Sequence, residues 1–172
     1  MSLAVAFILA GCGGAAAPEP RSYDLGIEAP GAKLPPVRVG GVRAAAPFDS
    51  TDMQYRLAYR NASEIAAFAN SRWAATPAEL LRKQLQRAST DGGKCVLSVE
   101  IQEFTQIFSA KEASEARVEL RATLSSGASR QFSVAEGNGG VDAVSGAAAL
   151  ARAANRAVGE IGSWISSQPG CR

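Results

Sequence analysis

Few residues in this chain of 172 could do chemistry, and the types that are missing narrow the choice further. There are three cysteines, Cys12, Cys95 and Cys171, and no histidine. Without an imidazole the chain has no serine–histidine or cysteine–histidine nucleophile, no usual zinc site and not the commonest general base. A serine–lysine or paired-carboxylate hydrolase stays open because those residue types occur, but no strand–turn–helix context presents them. Gly137-Asn138-Gly139-Gly140 precedes a helix, where backbone N–H groups could cradle an anion. Its spacing matches no phosphate loop, so it reads as a hairpin-to-helix turn. No catalytic residue, metal site or cofactor is therefore assigned. A net charge of +2 is too small to argue for nucleic acid, and an aromatic share of 6% leaves little for base stacking.

Cys12 is the cysteine with the clearest chemistry. It ends Leu9-Ala10-Gly11-Cys12 after a short apolar run, the pattern of a lipoprotein signal peptide and its lipobox. Small residues before the cysteine let a peptidase reach the backbone, and the thiol receives a diacylglycerol. The run is too short for a permanent span. Residues 1–11 therefore read as a signal peptide, although no basic residue precedes the apolar run. Residues 12–21, the lipidated Cys12 followed by Gly, Ala and Pro, read as a flexible tether reaching roughly 30 Å at most. Gly13, where an aspartate would favour inner-membrane retention, points to the periplasmic face of the outer membrane. Residues 22–172 are enough for one domain. With Cys12 acylated, Cys95 and Cys171 are left in an oxidising compartment, where an even count favours a disulfide.

The helix over residues 76–88 is the strongest local signal. Thr76 caps it, Pro77 takes the first helical position, and Glu79 closes a capping box. Leu80, Leu81, Leu85 and Ala88 form its apolar side against Arg82, Lys83, Gln86 and Arg87. Upstream, Met53, Tyr55, Leu57 and Tyr59 alternate with Gln54, Arg56, Ala58 and Arg60 as a strand, with a short partner over residues 64–68. Trp73 is expected to anchor the strand-to-helix corner as a core aromatic. Earlier strands are expected around Tyr23, Leu25 and Ile27, and around Val37, Val39 and Val42, with a bulge at Gly40-Gly41.

Asp91-Gly92-Gly93 stops the helix. A long strand follows, with Cys95, Leu97, Val99 and Ile101 on one face. Phe104 and Phe108 fall in the opposite phase, which predicts a bulge near Gln102 and Glu103. The next strand sets Ala116, Val118, Leu120, Ala122 and Leu124 against a charged, solvated face of Glu115, Arg117, Glu119 and Arg121. A third strand turns Phe132 and Val134 inward. A last helix over residues 141–166 carries an apolar stripe of Ala147, Ala151, Ala154, Val158, Ile161 and Ile165. The fold class is α+β, an antiparallel sheet with two helices packed on one face.

A strand at Tyr55-Arg56-Leu57, then Ser71-Arg72-Trp73, then Pro77-Ala78-Glu79-Leu80-Leu81 opening a helix make an ordered set. Together with Glu103-Phe104-Thr105-Gln106 and a C-terminal helix ending near Trp164, that order resembles the ABC-type transport auxiliary lipoprotein family. These are accessory proteins of bacterial envelope transport, including systems linked to mammalian-cell-entry-type lipid carriers. The resemblance spans about residues 23–166 and lies in order and spacing rather than in any single motif. It implies a non-catalytic, membrane-anchored periplasmic subunit of an ABC-type intermembrane transport system for lipids or hydrophobic solutes. Its partners would be subunits of an ABC/carrier-domain complex and, through the N-terminal lipid, the membrane; a homo-oligomer stays open. Tyr55, Arg56, Arg72, Trp73, Pro77, Glu79 and Phe104 would be structural positions of the family pattern. An outer-membrane assembly or docking factor and a periplasmic binding module are the alternatives, with an envelope hydrolase behind them.

Overall fold

The long strand β5 (Val96–Ala110) runs through the centre of a seven-stranded sheet. The computed structural model describes residues 19–27, 31, 33–90 and 92–171. Cys12, the lipobox and most of the tether lie outside the described residues, as does Asp91. On one side β5 pairs antiparallel with β6 (Ala113–Leu124), which pairs antiparallel with β7 (Ser129–Asn138). On its other side two strands share one edge: β2 (Arg38–Ala44) lies against the first half of β5 and β3 (Asp52–Arg56) against the second, both parallel to it. Beyond β3 come β4 (Ala66–Trp73), antiparallel, and β1 (Arg21–Tyr23), parallel to β4. The antiparallel ladders of β5, β6 and β7 make up most of the sheet, as expected. The parallel pairs require long crossovers, and the β2-to-β5 crossover carries β3, β4 and α1 (Pro77–Ala88).

Both helices cover one face. Helix α1 packs on β2 and β5, α2 (Ala143–Ser166) packs on β7, β6 and β5, and the helices touch each other. Leu81, Leu85, Leu97, Ile101, Leu120, Leu150 and Ile161 are fully buried between the layers. The α+β class and the expected bulge are both present: the β5–β6 register slips between Ile101 and Glu103. That extra residue returns Phe104 and Phe108 to the helix-facing side, where both are buried. The capping box of α1 forms as expected, with Thr76 Oγ1 accepting from the Glu79 N–H and Glu79 accepting from the Thr76 N–H.

Several expectations are corrected. The first strand is β1 alone; it begins at Arg21, assigned above to the tether, and leaves Ile27 89% exposed. Strand β3 stops at Arg56, because the Arg60 and Asn61 N–H groups both donate to the Leu57 carbonyl and turn the chain, exposing Tyr59. Gln54, assigned to solvent, is buried and donates to the Pro47 carbonyl at 2.6 Å. Strand β4 is longer than the short partner foreseen and includes Ser71, Arg72 and Trp73. Helix α1 ends at an extended Ser89, before the glycines. Gly93, at φ +81°, instead permits a close approach: a Cβ there would sit 1.9 Å from the Pro36 carbonyl oxygen. Helix α2 starts two residues later than foreseen, capped by Asp142, whose carboxylate accepts from the Ser145 N–H at 2.8 Å. Its buried stripe also takes in Ala149, Ala153, Ala157 and Gly162; at Gly162 the 33–34 segment lies so close that a Cβ would be 3.1 Å from the Lys33 carbonyl oxygen.

Candidate functional site

The positions that carry the family-like pattern are distributed through the core and its charged face rather than gathered in one cleft. Trp73, at the end of β4, is 1% exposed and meets the Phe104 ring edge-on at 5.4 Å. Tyr55 packs between Phe68 and Phe108, with ring centroids at 4.6 and 6.0 Å. Arg72 is exposed and donates to Ser22 Oγ at 3.3 Å across the β1–β4 pair. Pro77 and Glu79 serve the start of α1. Each of these residues thus has a packing, hydrogen-bonding or capping partner.

Arg56 and Glu103 do come together. The parallel pairing of β3 with β5 puts both on the sheet face away from the helices, and the guanidinium grips the carboxylate through two bonds of 3.0 Å. Thr105 donates its hydroxyl to the same carboxylate. Directly across the ladder from Glu103 is Glu119, so two like charges face each other. Arg56 on one flank offsets that repulsion, and a shallow basin of about 360 Å³ opens between Arg56, Glu103, Ile107, Arg117 and Glu119. The Glu103 oxygens are occupied by Arg56 and Thr105, which suits a fixed electrostatic clamp better than a proton-transferring carboxylate. Arg56→Met is expected to cost about 1–2 kcal/mol, between the values for exposed pairs and for buried ones that lose a partner. Glu119→Gln in that background should restore part of the loss. Urea unfolding checks both, and a loss below about 0.5 kcal/mol would show that the clamp contributes little.

A second polar cluster lies on the helix-facing side. Buried Gln106 donates to Ser114 Oγ at 2.9 Å; Ser114 donates to the Gly140 carbonyl and accepts from Asn138. Helix α2 crosses so closely that a Cβ on Gly146 would lie 2.1 Å from Gln106 Oε1. A glycine inside an alanine-rich helix is the signal that could have announced this approach.

One concavity was not foreseen. A groove of about 540 Å³ runs between the segment after β1 and the first turns of α2, lined by Tyr23, Gly26, Ala74, Val144, Ala148 and Ala151. Its lining is mainly apolar and includes Val144, 49% exposed, while Val141, three residues earlier, is 45% exposed. Short alanines make the hollow, since α2 has no bulk there to fill the space beside β1. Asp142 stands between the two valines in sequence. The Ser145 hydroxyl first, and then the Ser145 N–H, hold its carboxyl below the usual carboxylate range. Among the described residues no group of three or more Cys, Asp or Glu converges as a metal site, and no helix is long and apolar enough to cross a membrane.

No family model matches the chain, and no curated protein does. Solved structures do. One is the crystal structure of protein XCC0632 from Xanthomonas campestris, of family DUF330, with a TM-score of 0.67 at 22% identity, over 80% of this chain and 93% of that one. Another is the crystal structure of an uncharacterized protein, with a TM-score of 0.63 at 14% identity, over 86% of this chain and 99% of that one. What this chain shares with the DUF330 structure is therefore the fold, over nearly the whole of that chain.

Proposed function

We propose that this chain is a lipid-anchored, non-catalytic accessory subunit of an ABC-type intermembrane transport system that carries lipids or other hydrophobic solutes. It would be held through Cys12 at the periplasmic face of the outer membrane. The observation that carries the docking half is the mainly apolar groove between β1 and α2, with Val144 exposed in its lining. A mainly apolar hollow whose one carboxylate, Asp24, is engaged by the Gly26 N–H suits a hydrophobic anchor from a partner protein better than a reacting substrate. The lipobox and the order of the family-like motifs support the anchor and the transport setting.

Membrane fractionation followed by affinity isolation at native expression tests both halves. The full chain is expected in the membrane fraction with transporter subunits, and Cys12→Ser is expected to leave that fraction. Val144→Asp should stay with the membrane but recover about tenfold less partner, because a charge is forced into an apolar contact. Clean isolation of the parent chain without transporter subunits would overturn the proposal. An unchanged yield from Val144→Asp would remove the groove from it.

A further inference from the structure

Strand β7 is the long open edge of the sheet: β6 pairs along one side of it, and among the described residues no strand pairs along the other. The β6–β7 hairpin determines which backbone groups are left over. The Leu124 N–H donates to the Ala128 carbonyl at 2.8 Å, and in an antiparallel ladder hydrogen-bonded pairs recur at every second residue. Arg130, Phe132, Val134 and Glu136 therefore direct their N–H and C=O groups at β6, while Gln131, Ser133 and Ala135 direct theirs outward. Those three residues are exposed. Such a row of free donors and acceptors is a template for another strand.

We propose that this edge pairs with β7 of a second copy of the chain, antiparallel and centred on Ser133. In that register Ser133 faces Ser133 of the second copy and Gln131 faces its Ala135, each pair using the outward backbone groups. On the helix-facing side Phe132 falls opposite Val134, and Arg130 opposite Glu136. The pattern Arg130-x-Phe132-x-Val134-x-Glu136 is thus complementary to its own reverse, in charge and in apolar content. Both ends fit. Arg130 lies over the Phe132 ring at 5.4 Å and is exposed, so it can reach across, while Arg156 already holds Glu136 at 2.8 Å and gives it one cationic neighbour. Beyond this stretch Arg152 donates to the Gly137 carbonyl at 3.1 Å, which closes the edge at the end of the complementary run. A two-fold pairing of this kind consumes both open edges and builds a closed dimer rather than a filament.

The symmetry gives a sharp test. Facing residues of a hydrogen-bonded antiparallel pair have α-carbons about 5.5 Å apart, within disulfide range, so Ser133→Cys should cross-link to itself on mild oxidation of the purified full chain. Gln131→Cys, on the same exposed face, would find its own counterpart four residues along the ladder, at roughly 13 Å, and should not. Non-reducing electrophoresis is expected to show Ser133→Cys mainly as covalent dimer, with Gln131→Cys no higher than the parent chain. Sedimentation supplies an independent arm: Arg130→Glu and Glu136→Arg should each weaken dimerisation about tenfold or more, and an equimolar mixture should restore it, because unlike charges then face each other at both sites. Equal cross-linking of the two cysteine variants, or a mixture that associates no better than its components, would overturn the proposal.

Discussion

Replacing both Cys95 and Cys171 with alanine is expected to lower the unfolding free energy by about 4 kcal/mol, from the chain entropy released when a loop of this size is opened. The two α-carbons are 5.1 Å apart across a separation of 76 residues, and both cysteines are buried. Cys95 immediately precedes β5, and Cys171 ends the short 3₁₀ turn after α2, so the bridge ties the central strand to the helix that covers it. The loop so closed contains β5, β6, β7 and α2, most of the core. A marginally stable domain holds about 5–15 kcal/mol in all, so this one bond is a large fraction. Urea unfolding of the parent with and without a reductant should reproduce the difference seen for the double variant. A loss under about 1 kcal/mol, or two thiols free to alkylate in the native parent, would contradict it.

Trp73→Ala is expected to cost about 3–5 kcal/mol, the range for deleting a fully enclosed aromatic whose cavity cannot collapse. The indole is wedged against Phe104 where β1, β4 and α1 meet, and the backbone around it is fixed on both sides: the Trp73 N–H donates to Thr51 and the Ala74 N–H to Tyr23. Tyr59→Ala, at an exposed turn, should change stability by less than about 0.5 kcal/mol and serves as the control. Far-UV circular dichroism against urea measures both, and comparable losses would show that the junction at Trp73 is more plastic than its packing indicates.

What could be read from the sequence alone was whatever is written within one element. Thr76, Pro77 and Glu79 announce α1 because capping satisfies orphan N–H groups through residues only three apart. The alternation from Ala116 to Leu124 announces β6, and the phase change at Phe104 and Phe108 announces the bulge in β5, because side-chain period alone decides which face is buried. The pairing of Cys95 with Cys171 was expected from the even count of cysteines left once Cys12 is set aside, and the two are bridged. Weak patterns failed: the edge strand β1 and its neighbour β4 mix small, polar and aromatic residues, so neither their extent nor the strand character of Ser71-Arg72-Trp73 showed in a period. Strand neighbours were settled only in three dimensions. That β2 and β3 share one edge of β5 in parallel, that Arg56 meets Glu103, and that α2 passes over Gln106 at Gly146 depend on contacts between distant segments. The groove beside β1 and the open edge of β7 have the same origin. A period tells each residue which way to face, but backbone hydrogen bonds and the close packing of the whole chain choose what it faces.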